Sequence, residues 1–144
     1  MKDKDGDVMQ TILIIEDDNN INDMLNQLLS TKGYNVICAF SGTEGVLLHN
    51  ENVSLILLDL MLPGKNGEEI IEDLKIKYKV PIIVMSAIHE VDKKLNLFDL
   101  GADDYITKPF HNEELLARIK VHLKNKQRNN SSKIIKFKDV ELNT

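Results

Sequence analysis

The chain has one cysteine, Cys38, and no tryptophan. A single thiol excludes a disulfide framework and a thiolate metal centre within the chain. Cys38 follows Val36-Ile37 in an apolar run and reads as an inert core residue. Aromatic side chains make up only 5% of the sequence against 42% hydrophobic residues overall, so any core must be aliphatic. No apolar stretch approaches the ~20 residues that cross a bilayer, which leaves no membrane-spanning helix to place. The opening, residues 1–10, is charged and unlike a secretion signal, so a cytoplasmic protein is expected. Net charge is modest at -5, but it is unevenly spread. Residues 120–144 carry a net +5, which leaves -10 for residues 1–119. That basic tail has Phe137 as its only aromatic, a poor surface for stacking nucleic-acid bases, and reads as a solvated helix end and linker.

What the sequence does have is short apolar runs that stop at reactive polar groups. Ile12-Leu13-Ile14-Ile15 ends at Glu16-Asp17-Asp18, Leu55-Ile56-Leu57-Leu58 at Asp59, and Ile82-Ile83-Val84-Met85 at Ser86. A shorter stretch, Tyr105-Ile106-Thr107, ends at Lys108. Four apolar residues without alternation suit a strand buried on both faces, hence a parallel sheet covered by helices. In such sheets ligands bind beyond the carboxyl ends of the strands, where strand order reverses. Three acids, a hydroxyl and an ammonium are therefore expected on one rim.

Helical patterns alternate with these runs. Ile21, Met24, Leu25, Leu28 and Leu29 recur at helical spacing until Lys32-Gly33, and residues 34–40 read as a strand. Ser41-Gly42-Thr43-Glu44 has capping-box spacing and should open a helix carrying Val46, Leu47 and Leu48. A dense turn signal over 62–67 precedes a helix with Ile70, Ile71 and Leu74 on its apolar face. Another helix is expected over 91–100, closed by Gly101, and a last one presents Leu115, Leu116, Ile119 and Leu123. Five βα units in about 115 residues make a doubly wound α/β sandwich around a five-stranded parallel sheet with right-handed crossovers. The expected organisation is an extension over 1–10, one domain over 11–126 and a linker over 127–133. A further strand would then begin the segment 134–144.

The rim groups suit phosphate chemistry. Glu16, Asp17 and Asp59 offer hard oxygens to Mg²⁺, and gathering carboxylates without a cation costs free energy through repulsion. Metal, hydroxyl and ammonium would each stabilise charge on a phosphoryl group moving onto a carboxylate, and aspartate is a known nucleophile in such transfers. Lys108 must turn back into the rim just before a helix starts, so Lys108-Pro109 is expected to be cis. Asp18 reads as a solvated acid at a helix start.

In this register Glu16-Asp17, Asp59 in Leu-Leu-Asp-Leu-Met-Leu-Pro-Gly, Ser86-Ala87 and Lys108-Pro109-Phe110 resemble the receiver domain of two-component response regulators. That family has the CheY-like, flavodoxin-like (βα)₅ fold. The stretch from Gly101 through Ala102-Asp103-Asp104-Tyr105-Ile106-Thr107 to Lys108-Pro109-Phe110 further resembles the OmpR/PhoB subfamily of winged-helix transcription factors. The resemblance implies that Asp59 accepts a phosphoryl group from a sensor histidine kinase. It implies Mg²⁺ bound by Asp17, Asp59 and the backbone carbonyl of Met61, with Glu16 acting largely through metal-bound water. Ser86 would follow the phosphoryl group, Lys108 would pair with it, and Tyr105 would be the aromatic switch residue. Homodimerisation on phosphorylation would use Lys94, Asp103, Asp104, Glu114 and Arg118. DNA would be bound by a winged-helix domain of which residues 134–144 are the start, so this chain would not bind DNA itself. Such a protein is a signalling phosphoacceptor and not an enzyme in the ordinary sense. Apolar Met61 and Ile88 flank the approach of water in this family, which implies slow loss of the phosphoryl group.

Two rival readings are weaker. A haloacid-dehalogenase-type phosphatase shares the Asp, Mg²⁺, Ser and Lys set, but needs a second Asp where Met61 stands. A degenerate receiver acting only as a docking module would have a broken rim, and none of Asp17, Asp59, Ser86 and Lys108 is missing. His49, His89, His111 and His122 share no spacing and are expected to be solvated.

Overall fold

Non-alternating apolar runs become strands here because both sides of the sheet are covered, so every residue of a run finds a core. The computed structural model describes residues 9–60, 67–87 and 101–132, with side chains as far as residue 124. Five strands, β1 (Thr11–Ile15), β2 (Asn35–Ala39), β3 (Val53–Asp59), β4 (Ile82–Ala87) and β5 (Asp104–Lys108), form one parallel sheet in the order β2-β1-β3-β4-β5. Strand order reverses at β1, whose neighbours are β2 and β3. Helices α1 (Asn19–Thr31), α2 (Gly42–Leu48), α3 (Gly67–Lys77) and α4 (Asn112–Ser132) are described. This is the doubly wound parallel sheet expected from the sequence. The helix expected over 91–100, the extension as far as residue 8 and the strand expected from residue 134 lie outside the described residues.

Alternate residues of each strand feed opposite layers. Ile12 and Ile14 of β1, with Leu55, Leu57, Ile83 and Met85, pack beneath Leu25 and Leu29 of α1 and Leu115, Ile119 and Leu123 of α4. Leu13 and Ile15, with Ile56, Leu58 and Val84, pack beneath Ile70, Ile71 and Leu74 of α3. Each fully buried aliphatic side chain contributes about 1.5–3 kcal/mol. Packing rather than helix propensity therefore holds the strand ends in place.

Several residues depart from the expectations drawn from the sequence. Leu47 of α2 is 72% exposed and Leu48 is half-exposed, leaving Val46 alone of the three packed on the core. α2 docks instead through Gly42 and Gly45, where a Cβ would collide with the side chains of Ile70 and Ile15. Close backbone approach substitutes for an aliphatic face. Cys38 is only half-buried, because β2 is an edge strand, although burial still raises its thiol pKa and keeps it protonated. His49 is 1% exposed and lies edge-on to the Tyr78 ring, with Nε2 donating to the Tyr78 carbonyl at 2.9 Å. It caps α2 and pins that helix to the end of α3. His122 is not freely solvated either: its Nε2 lies 2.9 Å from an Asp104 oxygen. His111 is exposed as expected, and His89 lies outside the described residues.

Helix ends follow their signals. Lys32 caps α1 and is followed by Gly33 at φ +95°, and Gly101 has φ +121°. The Ser41 hydroxyl accepts from the Glu44 N–H at 3.1 Å, while the Glu44 carboxylate reaches the Phe40 N–H at 2.7 Å, one residue earlier than a capping box requires. α4 runs on to Ser132 through most of the stretch assigned to a linker. Residues 112–132 include neither Gly nor Pro, so nothing interrupts the backbone hydrogen-bond ladder. No described helix is long and apolar enough to cross a membrane.

Candidate functional site

The strand ladders bring the rim residues to one level. Ile15 pairs with Leu58, so Glu16 and Asp59 follow side by side at the crevice between β1 and β3. Asp59 pairs with Met85, which puts Ser86 one step further along β4, and Lys108 pairs with Ala87. Asp59, Ser86 and Lys108 are themselves strand residues, so each strand runs past the end of its apolar stretch. Ladder hydrogen bonds use the backbone and are indifferent to the change of side chain.

Glu16 is 1% exposed and Asp59 4%, while Asp17 projects into solvent. Oxygen atoms of all three carboxylates lie within 4.8 Å of one another. The Lys108 ammonium donates to Glu16 Oε1 at 3.1 Å and stands 3.4 Å from Asp59 Oδ1. The peptide bond from Lys108 to Pro109 is cis, as expected. Three carboxylates against one ammonium leave an excess of negative charge in a partly desolvated place. Its effect falls on Glu16, whose carboxyl is pushed up to about 7. Burial is the main cause, and the neighbouring Asp59 adds to it. The Asp18 N–H, 3.1 Å from Glu16 Oε2, and the Lys108 charge act in the opposite direction.

Ser86 is fully buried, and its Oγ has no hydrogen-bond partner among the described residues. An unmet buried hydroxyl costs about 1–3 kcal/mol, so this one is a donor in waiting. Tyr105 is 6% exposed, with its hydroxyl donating to the Ala87 carbonyl at 3.3 Å, one residue beyond Ser86. Met61 and Ile88 lie outside the described residues.

Asp18 has the role read for it. Its Oδ1 accepts from the Asn20 and Ile21 N–H groups at 2.9 and 3.1 Å, capping α1. Asp18→Ala should cost about 1 kcal/mol of stability. Urea melts will show a lower midpoint at unchanged slope, and an unchanged midpoint would contradict the cap. Asn22, which the sequence reading passed over, is buried beside the rim and donates from Nδ2 to the Glu16 and Ala39 carbonyls. A signal was available: Asn22 lies three residues before Leu25 and seven before Leu29, on the helix face facing the core.

A second charged group lies on the β5 and α4 edge. Arg118 pairs with Asp104 at 2.7 Å and Glu114 at 3.2 Å, and Lys75 pairs with Asp103 at 3.0 Å. Asp104 is held below the usual carboxylate range by its bonds to His122, Tyr105 and Arg118, which outweigh the effect of burial. Lys94 lies outside the described residues.

Residues 12–120 match the family model of the response regulator receiver domain. The chain belongs to that family. Solved structures agree with the assignment. A CheY-like receiver domain protein from Methanospirillum hungatei JF-1 is 31% identical with a TM-score of 0.79, over 85% of this chain and 99% of that one. The non-phosphorylated HemR receiver domain from Leptospira biflexa is 34% identical with a TM-score of 0.73, over 79% and 94%. A two-component response regulator from Clostridium difficile is 30% identical with a TM-score of 0.75, over 81% and 97%. Receiver domains are signalling phosphoacceptors that bind Mg²⁺ at an acidic pocket, and this receiver gathers Glu16, Asp17 and Asp59 in an acidic cluster. The phosphatase reading is set aside by the match.

Proposed function

We propose that this receiver accepts a phosphoryl group on Asp59 from a partner histidine kinase and thereby switches a transcription regulator. The observation that carries the reading is the convergence of Lys108 on Glu16 and Asp59, next to a strand bearing a buried hydroxyl with no hydrogen-bond partner among the described residues. An intact rim of this kind also speaks against a docking module that has lost its chemistry. Asp17, Asp59 and the backbone carbonyl of Met61 would hold Mg²⁺. The hard oxygens and the excess negative charge of the cluster fit that ion. When bound, Mg²⁺ would draw negative charge from the phosphoryl oxygens.

Each side chain then has one task. An Asp59 oxygen attacks phosphorus as the donor's N–P bond breaks, and the leaving imidazole keeps the electron pair. Lys108 stands close enough to Asp59 to exchange a carboxylate partner for a phosphoryl oxygen. The Ser86 hydroxyl donates to another phosphoryl oxygen and so meets its missing hydrogen bond. Tyr105 occupies an inward position that a shift of Ser86 and Ala87 would favour. Incubation of the purified chain with Mg²⁺ and acetyl phosphate should add the mass of one phosphoryl group. No adduct under any donor concentration would sink the proposal.

The stretch from Gly101 to Phe110 favours the OmpR/PhoB subfamily as the setting, with a winged-helix domain making the DNA contacts. Dimerisation would use Lys94, Asp103, Asp104, Glu114 and Arg118. Arg118 already has both its acidic partners within the chain, so a bond across an interface exchanges one surface pair for another. Such pairs contribute about 0–1 kcal/mol each. They set orientation more than affinity. Sedimentation should show a weak dimer strengthened by beryllofluoride and Mg²⁺, and an unchanged mass across a wide concentration range would contradict this mode of activation.

A further inference from the structure

Asparagine is a poor helix former and is rarely buried without cause. Asn22 nonetheless occupies the buried face of α1 with Leu25 and Leu29, at 1% exposure. Its Nδ2 donates to the Glu16 carbonyl at 2.9 Å and the Ala39 carbonyl at 3.0 Å. The Ala39 carbonyl also accepts the Glu16 N–H at 3.0 Å, and the Asn22 N–H reaches the Asp18 carbonyl at 2.9 Å. One amide thus ties together the end of β1, the end of β2 and the first turn of α1. Its own Oδ1 is left without a partner among the described residues, so the arrangement is retained at a cost in stability.

The carbonyl of Glu16 belongs to the peptide unit that joins Glu16 to Asp17. That unit is planar, so fixing its oxygen fixes the Asp17 nitrogen and the direction in which both Cα atoms leave it. Glu16 and Asp17 are two of the three acids in the cluster, and nothing else among the described residues donates to that carbonyl oxygen from outside the backbone of the loop. We infer that Asn22 is a positioning residue for the acidic pocket, setting its affinity for a divalent cation by holding the Glu16–Asp17 peptide plane. The inference rests on the receiver reading above. A leucine at this position would serve the core equally well but would leave the plane free to tilt. Partners of this kind, one step removed from the ligands, set cation affinity by orientation.

The test compares Asn22→Ala with Leu29→Val, a change on the same buried face of α1 that leaves the Glu16 carbonyl alone. Mg²⁺ is titrated calorimetrically into each protein at pH 8, well below its melting temperature. Asn22→Ala should raise the Kd about tenfold, while Leu29→Val leaves it unchanged whatever its loss of stability. The rate of phosphorylation by acetyl phosphate should fall in Asn22→Ala at limiting Mg²⁺ and recover at saturating Mg²⁺. If Asn22→Ala does not fold, Asn22→Ser, too short to reach the carbonyl, takes its place. A wild-type Kd in a folded Asn22 variant, or an equal loss in Leu29→Val, overturns the assignment. Absence of Mg²⁺ binding by the wild type is a different failure, which overturns the proposed phosphoacceptor function and this inference with it.

Discussion

Asp59→Asn should abolish phosphorylation outright. The substitution keeps the shape of the side chain at the end of β3 and replaces the nucleophilic carboxylate with an amide. Glu16, the other buried acid of the cluster, is already engaged by Lys108 at 3.1 Å, and Asp17 projects into solvent. The variant should fold. Removing one of the crowded charges relieves repulsion, so the thermal midpoint should hold or rise. Intact mass after incubation with acetyl phosphate and Mg²⁺ reads the outcome. Uptake of a phosphoryl group at the wild-type rate would falsify the assignment of the acceptor.

The fold was legible because its central strands are buried on both faces, which stamps a run without alternation on the sequence. In β1, Ile12 and Ile14 serve one layer while Leu13 and Ile15 serve the other. The rim was legible for a related reason: an apolar run that changes abruptly to Asp or Glu marks the carboxyl end of a strand. α2 was not. Its helical pattern offered Val46, Leu47 and Leu48, yet glycines make the contact, because α2 lies too close to Ile15 and Ile70 for any side chain between. Periodicity records which residues are apolar, not how near two backbones come. His49 and Asn22 were misjudged or missed for a second reason. A polar side chain among apolar ones is buried only if particular carbonyls await it, here those of Tyr78, Glu16 and Ala39. Those carbonyls come from segments distant in sequence or from a loop whose path periodicity does not define.

The same crowding that marks the site should make its cation binding depend on pH. Glu16 in the folded chain holds its proton up to about 7, against 4.5 for an ordinary glutamate, chiefly because burial penalises its charge. Between those values the folded chain binds more protons than the unfolded one. The metal-free protein should therefore lose stability as pH rises from about 4.5 to about 7, and change little beyond on this account. Cation binding runs the other way. A divalent ion favours the ionised pocket, so below pH 7 binding must expel a proton, and the apparent Kd should rise by up to about tenfold for each unit of pH lost. Calorimetric titration of Mg²⁺ at pH 6 and pH 8, in buffers of different ionisation enthalpy, measures both the Kd and the protons released. Release should approach one proton at pH 6 and fall towards none at pH 8. Glu16→Gln cannot release that proton, so its weaker binding should be nearly flat across the range. An equally steep profile in Glu16→Gln would move the titrating group elsewhere in the cluster, and a flat wild-type profile would show that burial does not hold the Glu16 proton.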